Sequence, residues 1–291
     1  MCNKIIDFPC SYTNSSGVRA EVTEGLDLSF PDAYLHRETM FKLAKAVKST
    51  DGAFHVDLSF CHTLEAEAMG ADINLGDDRQ GPRCREYVCD TVEQLLELPD
   101  IDFSKGRIYE TLMAAQMLAD NGEFPNIEIC GPFTIMANLI DLKHVFKACR
   151  KRPEIMHEVY SKFGKQVKQF ILEAEAHGIK LISYSDPTSA LNILGPRLLD
   201  SYTREFTVGF LKECIDSIKD DSMLLLCPKT TYALIGTDCA EFVEHELPHN
   251  DMQYAEACVS MLGKVKLSGQ NCIKNNRLHI TNGIFKEVRL K

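Results

Sequence analysis

Met223-Leu224-Leu225-Leu226-Cys227 is an unbroken apolar run about as long as one strand. A strand with one wet face alternates apolar and polar residues, so an unbroken run reads as a strand covered on both faces. That is the state of strands in a parallel sheet flanked by helices. Upstream, Lys180-Leu181-Ile182-Ser183-Tyr184 reads as a second strand, ending at Asp186-Pro187, and residues 198–218 between the two carry helical spacing. Further back a long helix is predicted over 153–176, stopped by His177-Gly178, and Asn126-Ile127-Glu128-Ile129-Cys130 reads as a strand running into Gly131-Pro132. Regular strand–helix alternation predicts one parallel α/β sheet. Periodicity alone leaves open whether that sheet closes into a barrel or stays doubly wound.

The flanks extend the pattern. Pro31-Asp32 opens a predicted helix through Leu43 and Val47, residues 53–58 read as a short strand, and 64–69 as a helix ended by Gly70. Segments 92–98 and 107–119 are helical in pattern. Downstream, 239–243 reads as a strand with a short helix as alternative, 252–262 as a helix, 264–268 as a strand and 284–288 as a last strand. Residues 1–30 read as irregular, with a turn cluster at Asn14-Ser15-Ser16-Gly17. No linker, repeat or low-complexity tract interrupts the chain, so 1–291 is read as one domain. No GxGxxG, Walker A or GxSxG motif points to a nucleotide or hydrolase site.

Composition bounds the function classes. The 291 residues are 45% hydrophobic and 25% charged, with a formal net charge of -10. That is globular, and without a Lys/Arg-rich block a nucleic-acid partner has little support. No segment approaches the ~20 continuous apolar residues of a membrane span, and Met1 to Cys10 lacks the apolar core of an export signal. The twelve cysteines therefore read as reduced thiols of a cytoplasmic protein.

Several segments, in order, resemble the uroporphyrinogen decarboxylase superfamily, which includes the corrinoid-dependent methyltransferases acting on coenzyme M and related thiols. The most specific is Cys130-Gly131-Pro132-Phe133-Thr134-Ile135, followed by Lys147 and Arg152-Pro153-Glu154. Residues 64–70 resemble the acidic-Ala-Glu-Ala helix of the methyltransferase branch. Glu173-Ala174-Glu175-Ala176-His177-Gly178, Gly195-Pro196 and Leu267-Ser268-Gly269-Gln270-Asn271 resemble later family segments. The resemblance spans roughly residues 30–275 and implies a (β/α)8 TIM-type barrel, here shortened or irregularly closed at its last strand. It also implies sites at the carboxyl ends of the strands.

Two departures shape the functional expectation. Residues 1–30 hold one arginine, Arg19, and lack the family's Arg-rich decarboxylase motif, so tetrapyrrole decarboxylation, which calls for cationic clamps, is not expected. In the methyltransferase branch a His-x-Cys pair and a late cysteine bind zinc. Here Leu225 stands at the histidine position, Cys227 matches the cysteine, and the late strand's counterpart is absent, leaving Cys272 nearby. The resemblance thus implies a zinc site of Cys227 and Cys272 completed by His249, with His245 as a further nitrogen source. Bound zinc keeps a thiol deprotonated and nucleophilic. Asp186 is the expected catalytic carboxylate, an Asx-turn acceptor being its simpler reading. His55, Asp57 and His62 are expected to line the barrel mouth and bind substrate; strand alternation puts His55 and Asp57 on one face. Arg107 resembles a family Gly-Arg position or is a solvated helix-start residue.

The expected function is methyl transfer between a corrinoid, carried by a separate protein, and a small thiol or related acceptor. No cobalamin-binding Asp-x-His-x-x-Gly signature occurs in the chain itself. A homodimer is left open. The alternatives are a decarboxylase or lyase acting on a small carboxylated substrate, and a non-catalytic relative that binds a corrinoid or partner protein.

Overall fold

The computed structural model describes residues 5–10, 17–58 and 60–291. Its central sheet has seven strands: β1 (Val56–Leu58), β2 (Pro125–Cys130), β3 (Leu181–Ser185), β4 (Met223–Leu226), β5 (Ala240–Glu246), β6 (Leu267–Ser268) and β7 (Ile284–Leu290). They lie in the order β1-β2-β3-β4-β6-β7-β5. The first five pair in parallel, while β7 runs antiparallel to both β6 and β5. Residues Asn14 to Ser16 of the expected turn cluster lie outside the described residues. Among the described residues no helix is long and apolar enough to cross a membrane.

The alternation of side chains along these strands separates two cores. Ile127, Ile129, Ile182, Leu224 and Leu226 point outward and pack with the flanking helices, chiefly Gly106–Asp120 and Pro153–Ala176. Leu181, Met223 and Leu225 point inward into a second cluster with Tyr254, Ala257, Cys258 and Phe285. The apolar run at 223–227 is therefore apolar for two reasons: its even-numbered residues face helices and its odd-numbered ones face the barrel interior. This is an α/β barrel of the TIM type, with a packed interior rather than a pore.

The irregular closure takes a specific form. Among the described residues no ladder joins β5 to β1. Instead the ribbon of Met252–Gln253 with His279–Ile280 leads into helix Tyr254–Ser260, which packs on the inner face. Gln253 anchors this insertion to the chain ahead of β1, accepting from Phe54 N and donating to Gly52 O, both at 2.9 Å. The helix expected over 252–262 accordingly starts later, because its first two residues are spent on the ribbon. The helix expected over 198–218 instead begins early, at Leu191, with a break where Gly195 takes φ 69 ahead of Pro196. It then passes through a π-turn, Thr203–Thr207, into Val208–Ser217.

Phe285 is fully buried on β7 and stacks on Tyr254 at 6.2 Å, tying the antiparallel strand to the inserted helix. Phe285→Ala is expected to cost about 3–5 kcal/mol by cavity formation. A change of less than about 1 kcal/mol in a urea unfolding series would show that this closure carries little stability.

Candidate functional site

The carboxyl ends of β2, β3 and β4 open on a cavity of about 280 Å³. Its wall includes Glu128 from β2, Ser183 and Ser185 from β3, Leu225 from β4 and Cys227 just beyond it. Cys272 and Lys274 enter from the loop after β6, His62 from the loop after β1, and Cys10 and Lys229 from the rim.

Glu128 is the charged centre. Its Oε2 lies 2.7 Å from His62 Nε2 and 2.5 Å from Lys274 Nζ. Burial by itself would raise this carboxyl, but the charges of His62 and Lys274 outweigh it and hold the group well below the usual carboxylate range. Burial likewise opposes charge on Lys274, and the contact with Glu128 reverses the sign and raises its pKa. One layer deeper a second polar chain crosses three strands. His55 Nε2 lies 3.2 Å from Asp57 Oδ1. Asn126 donates to Asp57 at 2.6 Å, and Ser183 donates to Asn126 at 2.7 Å. Asp57 is held low, because the charges of His55 and then Lys274 overcome its burial.

His62 is gripped through its backbone as well as its ring. Arg107, at the start of Gly106–Asp120, is buried rather than solvated. It pairs with Glu67 and donates to Cys61 Sγ at 3.1 Å and Thr63 Oγ1 at 2.7 Å, the residues on either side of His62. Asn138 donates to the His62 carbonyl at 2.9 Å. Glu65, also buried, accepts from Cys130 N at 2.6 Å and ties the same loop to the end of β2.

Asp186 lies under the Gly131-Pro132 corner. Its carboxylate accepts from Thr134 N and Thr134 Oγ1, each at 2.8 Å, and from Tyr202 Oη at 3.0 Å. It thereby caps helix Pro132–Ala137 from a neighbouring strand. A Cβ on Gly131 would stand 2.5 Å from the Asp186 Cβ and 2.6 Å from the Tyr184 hydroxyl, so only glycine permits this approach. Burial raises the Asp186 carboxyl despite the donors from Thr134 and Tyr202. In its own turn it is the backbone carbonyl, not the carboxylate, that Ser189 N reaches, so the Asx-turn reading does not describe it.

The expected zinc residues are brought together only in part. Cys227 and Cys272 line the same cavity. Burial pushes the Cys227 thiol up to about 11, and burial with the neighbouring Cys227 pushes Cys272 up to about 12. His249 is exposed on the bend after β5 and is absent from the cavity wall. His245 lies on β5 and bonds Glu287 on β7 at 2.8 Å. Among the described residues no group of three His, Cys, Asp or Glu side chains is arranged to hold a metal.

Sequence reading missed Glu128, Lys274 and the clamp on His62. A signal existed for Glu128: in Asn126-Ile127-Glu128-Ile129 the polar residues recur every second position, which marks an inward polar face on a strand otherwise wholly buried. None existed for Lys274, an unremarkable loop lysine in sequence.

A family model described as uroporphyrinogen decarboxylase (URO-D) matches residues 8–243. The methylcobamide:CoM methyltransferase MtaA of Methanosarcina barkeri is 24% identical over 235 residues, 79% of this chain and 67% of its own. The MtbA enzyme of Methanosarcina acetivorans, of the same printed activity, is 26% identical over 223 residues, 74% of this chain and 63% of its own. The chain thus spans about two thirds of the length of these relatives. A solved methyltransferase from Methanosarcina mazei superposes with a TM-score of 0.64 at 20% identity, over 77% of this chain and 66% of that one, a likeness of fold.

Removing Lys274 leaves a buried carboxylate with one partner fewer. Lys274→Met is expected to lower stability at pH 7 by about 3–5 kcal/mol. Because the folded fold depresses the Glu128 pKa, its stabilisation is complete above the ordinary carboxylate value of about 4.3 and is lost as pH falls through the lower folded value. The gap between wild type and variant should therefore narrow in acid. Equal unfolding midpoints at neutral pH would mean the pair is not the charged centre described.

Proposed function

The chain belongs to the uroporphyrinogen decarboxylase family, and from that premise we propose that it is a methyltransferase-type enzyme moving a methyl group between a corrinoid protein and a small thiol or related acceptor. The observation that carries this reading is the cavity at the strand ends, where a His62–Glu128–Lys274 cluster faces Cys227 and Cys272. Relatives named as methylcobamide:CoM methyltransferases support it. A thiol-sized molecule fits a cavity of about 280 Å³, and a corrinoid, far larger, would stand at its mouth on its own carrier protein.

In this proposal His55 and Asp57 shape the cavity floor through Asn126 and Ser183, and His62 contacts the acceptor. Asp186 is a positioning residue that fixes helix Pro132–Ala137 beside the end of β2. The zinc expected in this position does not meet an arranged donor set: Cys10, Cys227 and Cys272 line the cavity, but among the described residues no three His, Cys, Asp or Glu side chains are grouped to hold a metal, Leu225 is apolar, and His249 is on an exposed bend outside the wall. Three protein ligands are the usual requirement of a catalytic zinc, and no step is routed through one here. The decarboxylase alternative draws less support, since the lysines on the wall already face carboxylates, Lys274 toward Glu128 and Lys229 toward Asp7 at 3.7 Å.

The test is direct. Purified protein mixed with a methylated corrinoid protein and coenzyme M should yield the methyl thioether by mass spectrometry and consume the methyl–cobalt absorbance. Absence of product with coenzyme M and with a panel of other small thiols would sink the reading.

A further inference from the structure

Resting on the methyl-transfer reading for the identity of the cavity's occupant, we infer that segment 5–10 is a strap that completes the wall of the acceptor cavity and fixes how large an acceptor enters, with Phe8 as its anchor.

The strap lies along one face of helix Pro228–Gly236, which starts beside Cys227 at the carboxyl end of β4. Lys229, Tyr232 and Gly236 follow one another at helical spacing, so they share that face. Each meets the strap. Ile5 lies over Gly236, Phe8 stacks on Tyr232 with ring centroids 5.6 Å apart and planes inclined by 12°, and Asp7 pairs with Lys229 at 3.7 Å. Cys10, beyond them, reaches the cavity wall. The strap thus runs from the far end of the helix to the mouth of the cavity.

Gly236 shows that the seat is built for it. Its backbone is not left-handed, so conformation does not call for glycine, and glycine weakens a helix relative to alanine. A Cβ there would stand 2.6 Å from Ile5 Cα, and the three atoms nearest to it all belong to Ile5. The approach of the strap accounts for the missing side chain.

The chain is held a second time at Gly17, whose N donates to Arg79 O at 3.0 Å. Arg79 lies in the turn between Asp72–Asn74 and Arg83–Glu86. Cys84 of that hairpin donates to Asn138 O at 3.1 Å, and Asn138 holds the His62 carbonyl. The amino-terminal region is therefore seated on both flanks of the mouth, beside Cys227 and beside His62. The strap's own grip is light. Ile6, Asp7, Pro9 and Cys10 are exposed, and an ion pair this open is screened by salt. The floor of the cavity is carried by strands, through Glu128, Ser183 and Leu225. The movable part of the wall is the strap, so selection by size falls to the rim.

The test uses thiol reagents of two sizes on the 291-residue chain, carrying Cys10→Ser to remove the exposed thiol of the rim. Methyl methanethiosulfonate and a fluorescein maleimide are each reacted at mildly alkaline pH, thiolate being the reacting form. Labelling of Cys227 and Cys272 is timed by peptide mass spectrometry. With the strap seated, the small reagent reaches both cysteines and the bulky one is held back. Phe8→Ala and, separately, Gly236→Ala should speed the bulky reagent about tenfold, the scale of one lost aromatic contact, and leave the small reagent's rate unchanged. Gly236→Ala favours the helix while displacing Ile5, so it unseats the strap without weakening the fold. Bulky labelling as fast as small labelling before either substitution overturns the inference. So do bulky rates that neither substitution changes, and small and bulky rates that rise together. In the methyl-transfer assay both substitutions should raise kcat/KM for glutathione relative to coenzyme M by a similar factor. Strap-dependent labelling without methyl transfer to any thiol would uphold the inference and refute the proposed function. Methyl transfer with labelling indifferent to the strap would do the reverse.

Discussion

One buried carboxylate organises the working end of this barrel. Glu128 sits on the inner face of a central strand, where an unpaired charge would be prohibitively unfavourable. It is tolerated because His62 and Lys274 arrive from loops far apart in sequence and share one oxygen. A strand is among the stiffest platforms a fold offers, so the carboxylate holds both loops to a fixed point. The contact also decides protonation. The ion pair outweighs burial, so Glu128 stays charged in an interior where an isolated glutamate would be neutral.

The surrounding architecture keeps that point from drifting. Arg107 and Asn138 hold the loop that bears His62, and Glu65 fastens it to the end of β2. On the other side, Asp186 reaches beneath Gly131 to the amino-terminal turn of Pro132–Ala137. The Gly-Pro-Phe-Thr stretch thereby acquires a physical meaning. Glycine leaves room for the carboxylate, proline begins the helix without needing a hydrogen-bonding amide, and threonine supplies two donors to one oxygen. These residues act through geometry, each placing a group that faces the cavity.

The cysteines illustrate how position in a family motif and local chemistry can diverge. Cys227 and Cys272 share the cavity wall, yet burial raises both thiols, Cys227 to about 11 and, with the neighbouring Cys227 adding to it, Cys272 to about 12, so both stay protonated near neutrality. Among the described residues no three His, Cys, Asp or Glu side chains are arranged to hold a metal, Leu225 is apolar, and His249 is exposed on the bend after β5. The barrel resembles that of a solved methyltransferase in its fold, while its strand ends carry a His62–Glu128–Lys274 cluster beside these cysteines.

The sequence by itself determined the sheet and most of its helices. Period-2 and period-3.6 burial are local properties, so the runs at 126–130, 180–184 and 223–227, the helix over 153–176 and the motif at Gly131-Pro132 could be read without tertiary information. The Cys227–Cys272 meeting was legible too, since strand carboxyl ends converge in a barrel. Only the tertiary structure decided which charges meet. It buried Arg107, which reads as an ordinary helix-start cation, left His249 exposed, brought Lys274 to Glu128 across 146 residues of chain, and filled the unpaired side of the barrel with helix Tyr254–Ser260. The physical reason is that backbone periodicity is set by neighbours along the chain. A buried ion pair is set by whichever loops the folded sheet brings within a few ångströms, and nothing local encodes that.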